Sequence, residues 1–238
     1  MAEEKVENAV VEKTQTTETT TEETKVLPSD QVNDFVTDNA NRLGSVVLIL
    51  ALLIGAWFAY DTYVVAPAEL EGKNEIFMAQ YYFQAGDYDA ALNGKEGDAG
   101  FLYIAADHGS DKIGNLANFY IGQIYLQQGE YQTAIDYLEE FSSKDMFVGA
   151  LAIASIGDAY AEMGETGKAI NFYKKAANYN DNSFTTPLYL MKLANALEIN
   201  DNPGEALGYY EMIKKSYPNS AEGRDIEKFI AKAKAMVQ

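Results

Sequence analysis

The chain contains no cysteine and only one histidine among its 238 residues. Without cysteine there are no disulfides, no thiolate metal sites and no cysteine nucleophile. The single histidine, His108, stands in the loop-like stretch 107–110, where we expect a solvated role, and a zinc site would have to be mostly carboxylate. No GxxxxGK[ST] or GxGxxG loop follows a strand-like segment. These absences predict a protein that is not an enzyme and that has no catalytic residues, metal site or cofactor.

Basic residues are also scarce, with 18 Lys and Arg against 36 Asp and Glu, for a net charge of −18. Residues 1–42 hold ten acids and four bases, and residues 61–238 hold 26 acids and 14 bases. Binding to nucleic acid or to anionic lipid needs a basic surface, and neither segment has one. We therefore expect protein partners, with no nucleic acid and no small-molecule substrate.

The N-terminal segment is dominated by Thr and Glu and has no aromatic residue before position 28. Such a composition cannot bury enough apolar surface to offset the entropy of ordering. We predict a disordered acidic tail over residues 1–28, followed by a juxtamembrane segment over residues 29–42.

A long apolar run comes next, with no charge between residues 43 and 60. At about 1.5 Å per residue it measures roughly 27 Å, close to the thickness of a bilayer's hydrocarbon core. Trp57, Tyr60 and Tyr63 cluster at its C-terminal end, as in an aromatic belt. The run predicts a transmembrane helix over residues 43–65.

Two other interpretations of this run are a buried core helix and a cleavable signal peptide ending at the small residues 66–68. A core helix rarely runs so long without a polar face. A signal peptide has a short basic lead and a shorter apolar core, whereas 42 mostly acidic residues precede this run. An uncleaved anchor fits better.

The charges that flank the run indicate its orientation. Arg42 abuts it on the N-terminal side, and the nearest base on the other side is Lys73. The positive-inside rule then places the N-terminus in the cytoplasm and residues 70–238 outside the cytoplasmic membrane. If the source is a Gram-negative bacterium, the protein is a single-pass protein of the inner membrane and these residues lie in the periplasm. The inverted topology, with the C-terminal domain in the cytoplasm, remains open.

Residues after the span contain internal repeats, in which a small residue precedes an alanine by twelve positions. Three pairs keep this spacing: Gly122 with Ala134, Gly157 with Ala169, and Ala194 with Ala206. The alanines lie 35 and 37 residues apart. A weaker copy pairs Ala79 with Ala91, and its larger separation of 43 residues from the next alanine predicts an insertion around 93–110.

Each repeat reads as two packed helices. The small residue and the alanine let the paired helices approach closely, and most tyrosines fall at positions that pack helices. A turn is predicted at Gly86, Gly129 and Gly164, where the first helix ends and φ > 0 is favoured. Residues 201–203 take over this turn in the last copy, and a final helix over residues 225–237 is expected to cover the exposed end.

This pattern resembles the tetratricopeptide repeat over roughly residues 70–220, although the tryptophan common early in that repeat is missing. The layout of acidic tail, one span and about four repeats resembles the family of ancillary subunits of the bacterial Sec translocon. Residues 114–122, 182–190 and 217–235 are similar to tetratricopeptide proteins of Bacteroidetes. The resemblance implies an all-α helical-repeat solenoid, about four repeats plus a C-terminal capping helix, behind one transmembrane helix.

In repeats of this family the first helix of each pair lines a groove. Carried onto this sequence, the resemblance implies that the peptide groove is lined by Phe119, Gln123, Asp158, Glu162, Lys192, Asn195 and Glu198. We expect the groove to be acidic at its centre and to favour a basic or mixed amphipathic segment.

The function that these features predict is a membrane-anchored protein–protein interaction module of the cell envelope. The resemblance suggests that it assists protein export or periplasmic chaperoning near the Sec translocon. The alternative is a scaffold or assembly factor for another envelope complex, and an enzyme hidden in the acidic groove is a third hypothesis.

Overall fold

The structure, a computed structural model, describes residues 37, 39–109 and 111–237. Within these ranges it contains twelve α-helices and no strand, which confirms the all-α prediction. The chain divides after Tyr60 into two compact units. The predicted tail and the segment that follows it, up to residue 36, lie outside the described residues.

The first unit contains helix α1, Ala40–Tyr60. The apolar stretch Gly44–Val65 is long enough, at 22 residues, and apolar enough, with a mean hydropathy of 1.9, to cross a membrane. None of its most apolar part is buried within the protein. A core helix would be mostly buried, so that alternative is wrong.

The second unit begins with π-helical turns over Asp61–Val65. Eleven α-helices follow in its described residues: α2 (Ala66–Ala85), α3 (Tyr88–Asn93), α4 (Phe101–His108), α5 (Lys112–Gln128), α6 (Tyr131–Glu140), α7 (Val148–Glu162), α8 (Thr166–Ala177), α9 (Thr185–Ile199), α10 (Pro203–Ser216), α11 (Ala221–Arg224) and α12 (Ile226–Val237).

The helices pack as a stack of pairs, α2 with α3, α5 with α6, α7 with α8, and α9 with α10. Helices α6 and α8 also pack directly on the first helix of the next pair, and α3 contacts both α4 and α5. At the C-terminal end, α12 packs on α10 and closes the stack. The structure therefore confirms a helical-repeat solenoid with a capping helix.

The turns between paired helices repeat one geometry. Gly86, Gly129 and Gly164 have φ of 76°, 80° and 75°, as predicted, and Asp201 takes the same place with φ of 59°. In each turn the next residue's N–H bonds back to the carbonyl five positions earlier, for example Glu165 at 2.8 Å. This is the bonding of a Schellman motif, which satisfies carbonyls that the helix end leaves free.

Small residues set the distance between paired helices. A Cβ atom on Gly157 would lie 2.8 Å from Cε1 of Tyr173, and one on Gly122 would lie 2.5 Å from Cγ of Leu138. Ala134, the alanine that pairs with Gly122, is completely buried. The close approach predicted from these residue types is therefore confirmed.

The predicted insertion forms part of the core rather than a surface loop. Its helix α4 buries Phe101 and Ile104 completely. The loop before α4 folds tightly, because a Cβ atom on Gly100 would lie 2.3 Å from the carbonyl oxygen of Leu92. Helix α4 packs on α2, α3 and α5, so it fills the space beside the short helix α3.

His108 corrects one prediction, since it ends helix α4 and its side chain is only 12% exposed. Its Nδ1 lies 3.0 Å from Oδ2 of Asp111, and its Nε2 lies 3.3 Å from Oε2 of Glu75. Partial burial by itself lowers the pKa of His108, but the hydrogen bonds with these two carboxylates outweigh it and raise that pKa above its ordinary value. The expected solvated role is therefore wrong.

Candidate protein-binding face

The first helices of successive pairs adjoin one another, since α5 contacts α7 and α7 contacts α9. Side chains connect them. Nε2 of Gln123 donates to Oγ of Ser155 at 2.9 Å, one repeat along. We call the side of α5, α7 and α9 that bears Gln123, Asp158 and Lys192 the inner face. It is the side that the sequence predicted to line a groove.

Asp158 is the centre of this face. Nζ of Lys192 lies 2.6 Å and 2.8 Å from its two carboxylate oxygens, and the hydroxyl of Tyr173 donates to Oδ1 at 2.7 Å. Burial raises the pKa of Tyr173 strongly, and the hydrogen bond to Asp158 and the nearby charge of Glu162 act in the same direction. The carboxylate thus ties α7 to both α8 and α9.

The tyrosine bond recurs one repeat later. The hydroxyl of Tyr210 donates to Oδ1 of Asn195 at 2.9 Å, across the same separation of 15 residues as in the pair Tyr173 and Asp158. Burial raises the pKa of Tyr210, and the carboxylate of Glu198 adds to the effect. In the preceding repeat Leu138 stands at the tyrosine position and is buried.

The expectation of an acidic centre is wrong for two of its three acids. Asp158 is paired with Lys192, and Oε2 of Glu198 lies 2.6 Å from Nζ of Lys232 on the capping helix. The Glu198 side chain is only 7% exposed. Of the three predicted acids only Glu162 is exposed. A basic ligand therefore has less negative charge to meet than the sequence suggested.

The predicted groove residues do not form one accessible set. Asp158 and Lys192 are in direct contact, whereas Gln123 bonds to Ser155 and not to another member of the set. Phe119 is buried, with its ring 5.1 Å from that of Phe141. It belongs to the core between repeats and offers little surface to a ligand.

An exposed apolar patch lies next to these polar groups, and sequence reasoning missed it. The patch consists of Phe147 (46% exposed), Leu151 (43%), Phe184 (76%) and Leu188 (38%). The two phenylalanine rings meet edge to face at 5.9 Å, which brings the N-terminal ends of α7 and α9 together. The available signal was spacing, because both the Phe pair and the Leu pair are 37 residues apart, as are Gly157 and Ala194.

The apolar patch continues the inner face. Leu151 lies seven residues before Asp158, which is two helical turns, so the two side chains share one side of α7. Leu188 and Asn195 have the same relation on α9. The face therefore has an apolar end that is open to solvent and a polar end whose charges are largely paired. Such a surface can bind apolar side chains.

Comparison with protein families matches this domain to the "Tetratricopeptide repeat-like domain" over residues 68–198. A second family, "Tetratricopeptide repeat", matches residues 189–220. The first match alone spans more than half of the chain. No curated protein matches the chain.

Solved structures with the same fold include two crystal structures of a putative kinesin light chain from Podosopora anserina with nearly identical TPR-like repeats, one of them a point variant. Each has 15% sequence identity and a TM-score of 0.54, and each match covers 69% of this chain. The matches cover 85% and 86% of the respective relatives. At this identity the likeness concerns the fold alone.

Proposed function

Because this chain belongs to the tetratricopeptide repeat-like family, we propose that it is a membrane-anchored protein–protein interaction module of the cell envelope. Repeats of this class are non-enzymatic scaffolds that bind other proteins. A stack of helix pairs offers a continuous surface on its inner side, which suits an extended or helical segment of a partner.

The observation that carries the proposal is the apolar patch on the inner face. Four large apolar side chains that are 38% to 76% exposed and lie on two adjacent helices are costly to leave in water and mark an interaction site. The paired charges beside them favour a partner whose contact residues are apolar. We propose that the occupant is an apolar segment of a polypeptide undergoing export, before it folds.

The apolar stretch Gly44–Val65 supports the anchor. Attachment to the membrane raises the local concentration of the repeat domain around a membrane partner, without any added contact. With Arg42 on the cytoplasmic side, the repeat domain faces the periplasm. The layout of one span followed by repeats, which resembles ancillary subunits of the Sec translocon, supports a place beside that machine.

Photo-cross-linking in cells tests this proposal. A photoreactive amino acid replaces Leu151 or Leu188 on the apolar patch. Control sites are Glu139 and Lys174, which are exposed on second helices away from the inner face. The expected products, from patch sites only, contain an exported polypeptide. A translocon subunit or a periplasmic chaperone in its place would support the envelope role but contradict this occupant.

Products made only of components of a different envelope assembly would favour the alternative, a scaffold for that complex. Equal products from patch and control sites would contradict a role for the patch. In a second arm, Phe184→Glu should abolish the patch-specific products, while Met236→Glu, an equally drastic change at an exposed residue of α12, should leave them unchanged.

Protease accessibility tests the topology. Protease added to spheroplasts should digest the repeat domain if it faces the periplasm, and disrupted cells should give the same fragments. Protection of residues 70–238 until the membrane is broken would show the inverted arrangement.

A further inference from the structure

A second cluster of functional groups lies away from the inner face, where α2 meets the inserted helix α4. Glu75, Asp107 and His108 each place one potential metal-ligand atom within 4.8 Å of the other two. Glu75 comes from α2, and the other two residues end α4. The cluster therefore joins two segments that are 33 residues apart along the chain.

The orientation of the imidazole is fixed by a fourth residue. Oδ1 of Asp111 accepts the backbone N–H groups of Ile113 and Gly114 at 2.7 Å and 2.9 Å, as the cap of helix α5. Its other oxygen, Oδ2, lies 3.0 Å from Nδ1 of His108. A capped carboxylate is an acceptor, so Nδ1 carries a hydrogen and Nε2 points toward Glu75. Metal-binding histidines are held in this way by a carboxylate behind the ring.

The distance between Nε2 of His108 and the carboxylate of Glu75 also fits a shared metal ion. Nε2 of His108 lies 3.3 Å from Oε2 of Glu75, which is long for a charge-assisted hydrogen bond of about 2.7–2.9 Å. In a tetrahedral zinc site with bonds of about 2.0–2.2 Å, two neighbouring ligand atoms are about 3.4 Å apart. These two atoms therefore already have the separation that a shared zinc ion requires.

We propose that Glu75, Asp107 and His108 bind one Zn²⁺ ion, with Asp111 as the residue that orients the imidazole. The set is one imidazole and two carboxylates, and a water molecule completes the tetrahedron. The His108 side chain is 12% exposed and thus preorganised, whereas Glu75 is 31% exposed and Asp107 is exposed, so both carboxylates can adjust and the ion can enter from solvent. The bound ion fastens α4 to α2.

Titration of ZnCl2 into the full-length protein in detergent, purified without a histidine tag, tests the site. One ion per chain is expected to bind, and Asp107→Asn is expected to weaken the affinity at least tenfold. Asp107 is exposed and makes no contact with the imidazole in the hydrogen-bond network of the described residues, so this variant should fold normally. Asp225→Asn, which removes an exposed carboxylate near the capping helix, should bind Zn²⁺ like the natural chain.

A spectroscopic readout separates ligation from surface adsorption. Because His108 is the only histidine, one pair of imidazole ¹⁵N resonances reports on it. Zn²⁺ should shift the Nε2 resonance to the position of a metal-bound nitrogen and leave Nδ1 protonated. Unshifted resonances at saturating Zn²⁺, or an affinity that Asp107→Asn and Asp225→Asn change equally, would overturn the proposal.

Discussion

Lys192 places its ammonium nitrogen 2.6 Å and 2.8 Å from the two oxygens of Asp158, and so joins α9 to α7 on the inner face. The same oxygen that is 2.6 Å from the lysine also accepts the hydroxyl of Tyr173. One carboxylate therefore holds three helices from two successive repeats. In a stack where stability depends on contacts between neighbours, such a group contributes to the interface rather than to one repeat.

The coupling between Asp158 and Lys192 should be measurable. The two side chains are 32% and 36% exposed, so solvent screens the pair. We therefore expect a coupling free energy of about 0.5–1 kcal/mol. A double-mutant cycle with Asp158→Asn and Lys192→Met, measured by urea unfolding of the repeat domain, gives this energy. Asparagine keeps an acceptor for Tyr173 and so isolates the ion pair.

The matched control for this cycle is Lys214 with Glu227, an ion pair whose side chains are 53% and 67% exposed. We expect its coupling energy to be near zero, because exposure and side-chain entropy cancel the attraction. A coupling for the control as large as that of the inner-face pair would show that burial is not the deciding factor.

Replacing Gly157 by alanine should destabilise the domain. The new Cβ atom would lie 2.8 Å from the ring of Tyr173, so α7 and α8 must move apart. We expect this to lower the free energy of unfolding by about 1–3 kcal/mol. Gly208→Ala is the control, because this glycine lies inside α10 with nothing within 4 Å of the added atom. At this position alanine should raise the free energy of unfolding by about 0.5–1 kcal/mol. Opposite signs in denaturant unfolding are the expected result, and equal signs would contradict the contact.

A glycine in place of Asp201 should make the last of these turns more stable. A non-glycine residue with φ of 59° is strained, and the other three turns of this kind use glycine. Asp201→Gly should therefore raise the free energy of unfolding by about 0.5 kcal/mol, even though glycine costs more chain entropy. The reciprocal change, Gly164→Asp, should lower it by about 1 kcal/mol. A loss of stability in Asp201→Gly would show that the aspartate contributes more than its strain costs.

Stability should fall at alkaline pH because of two buried tyrosines. The pKa values of Tyr173 and Tyr210 are raised above the ordinary 10, so the folded state keeps protons that the unfolded state releases. This stabilisation is complete below about pH 10 and is lost as the pH rises above it. Up to about 1.4 kcal/mol per pH unit is lost for each tyrosine.

Chemical unfolding at a series of pH values measures this slope. The double variant Tyr173→Phe with Tyr210→Phe should show a shallower decline above about pH 10 than the natural chain, although it starts from a lower stability. An unchanged slope would mean that neither phenol titrates on unfolding.

Much of the fold could be predicted because the repeat chemistry is local. A glycine at 129 or 164 marks a turn through its own φ, and a small residue twelve before an alanine marks a close helix pair. The long apolar helix was evident from composition alone, although its crossing of a membrane and its direction stay predictions. These signals can be recognised in the sequence because each involves residues that lie close together along the chain.

The contacts of the site were harder to predict because they depend on register between helices. Nothing in the spacing of Asp158 and Lys192 showed that they would pair and cancel each other's charge. Phe119 looked like a groove residue on its helix and proved to be buried between repeats. His108 looked like a loop residue because its partner Glu75 lies a whole helix pair earlier. Which side chains contact each other across repeats depends on how the helices pack, and a single sequence does not reveal that packing.

The apolar patch extends over two repeats, and this extent determines which features a partner needs in order to bind. Adjacent packed helices lie about 8–10 Å apart, a distance that roughly three residues of extended chain span. Phe147 and Phe184 come from two such adjacent helices, their rings meet at 5.9 Å, and a phenyl ring has no hydrogen-bonding group. A partner on this face would need apolar side chains, but no particular apolar residue type. Many unrelated sequences satisfy such a requirement.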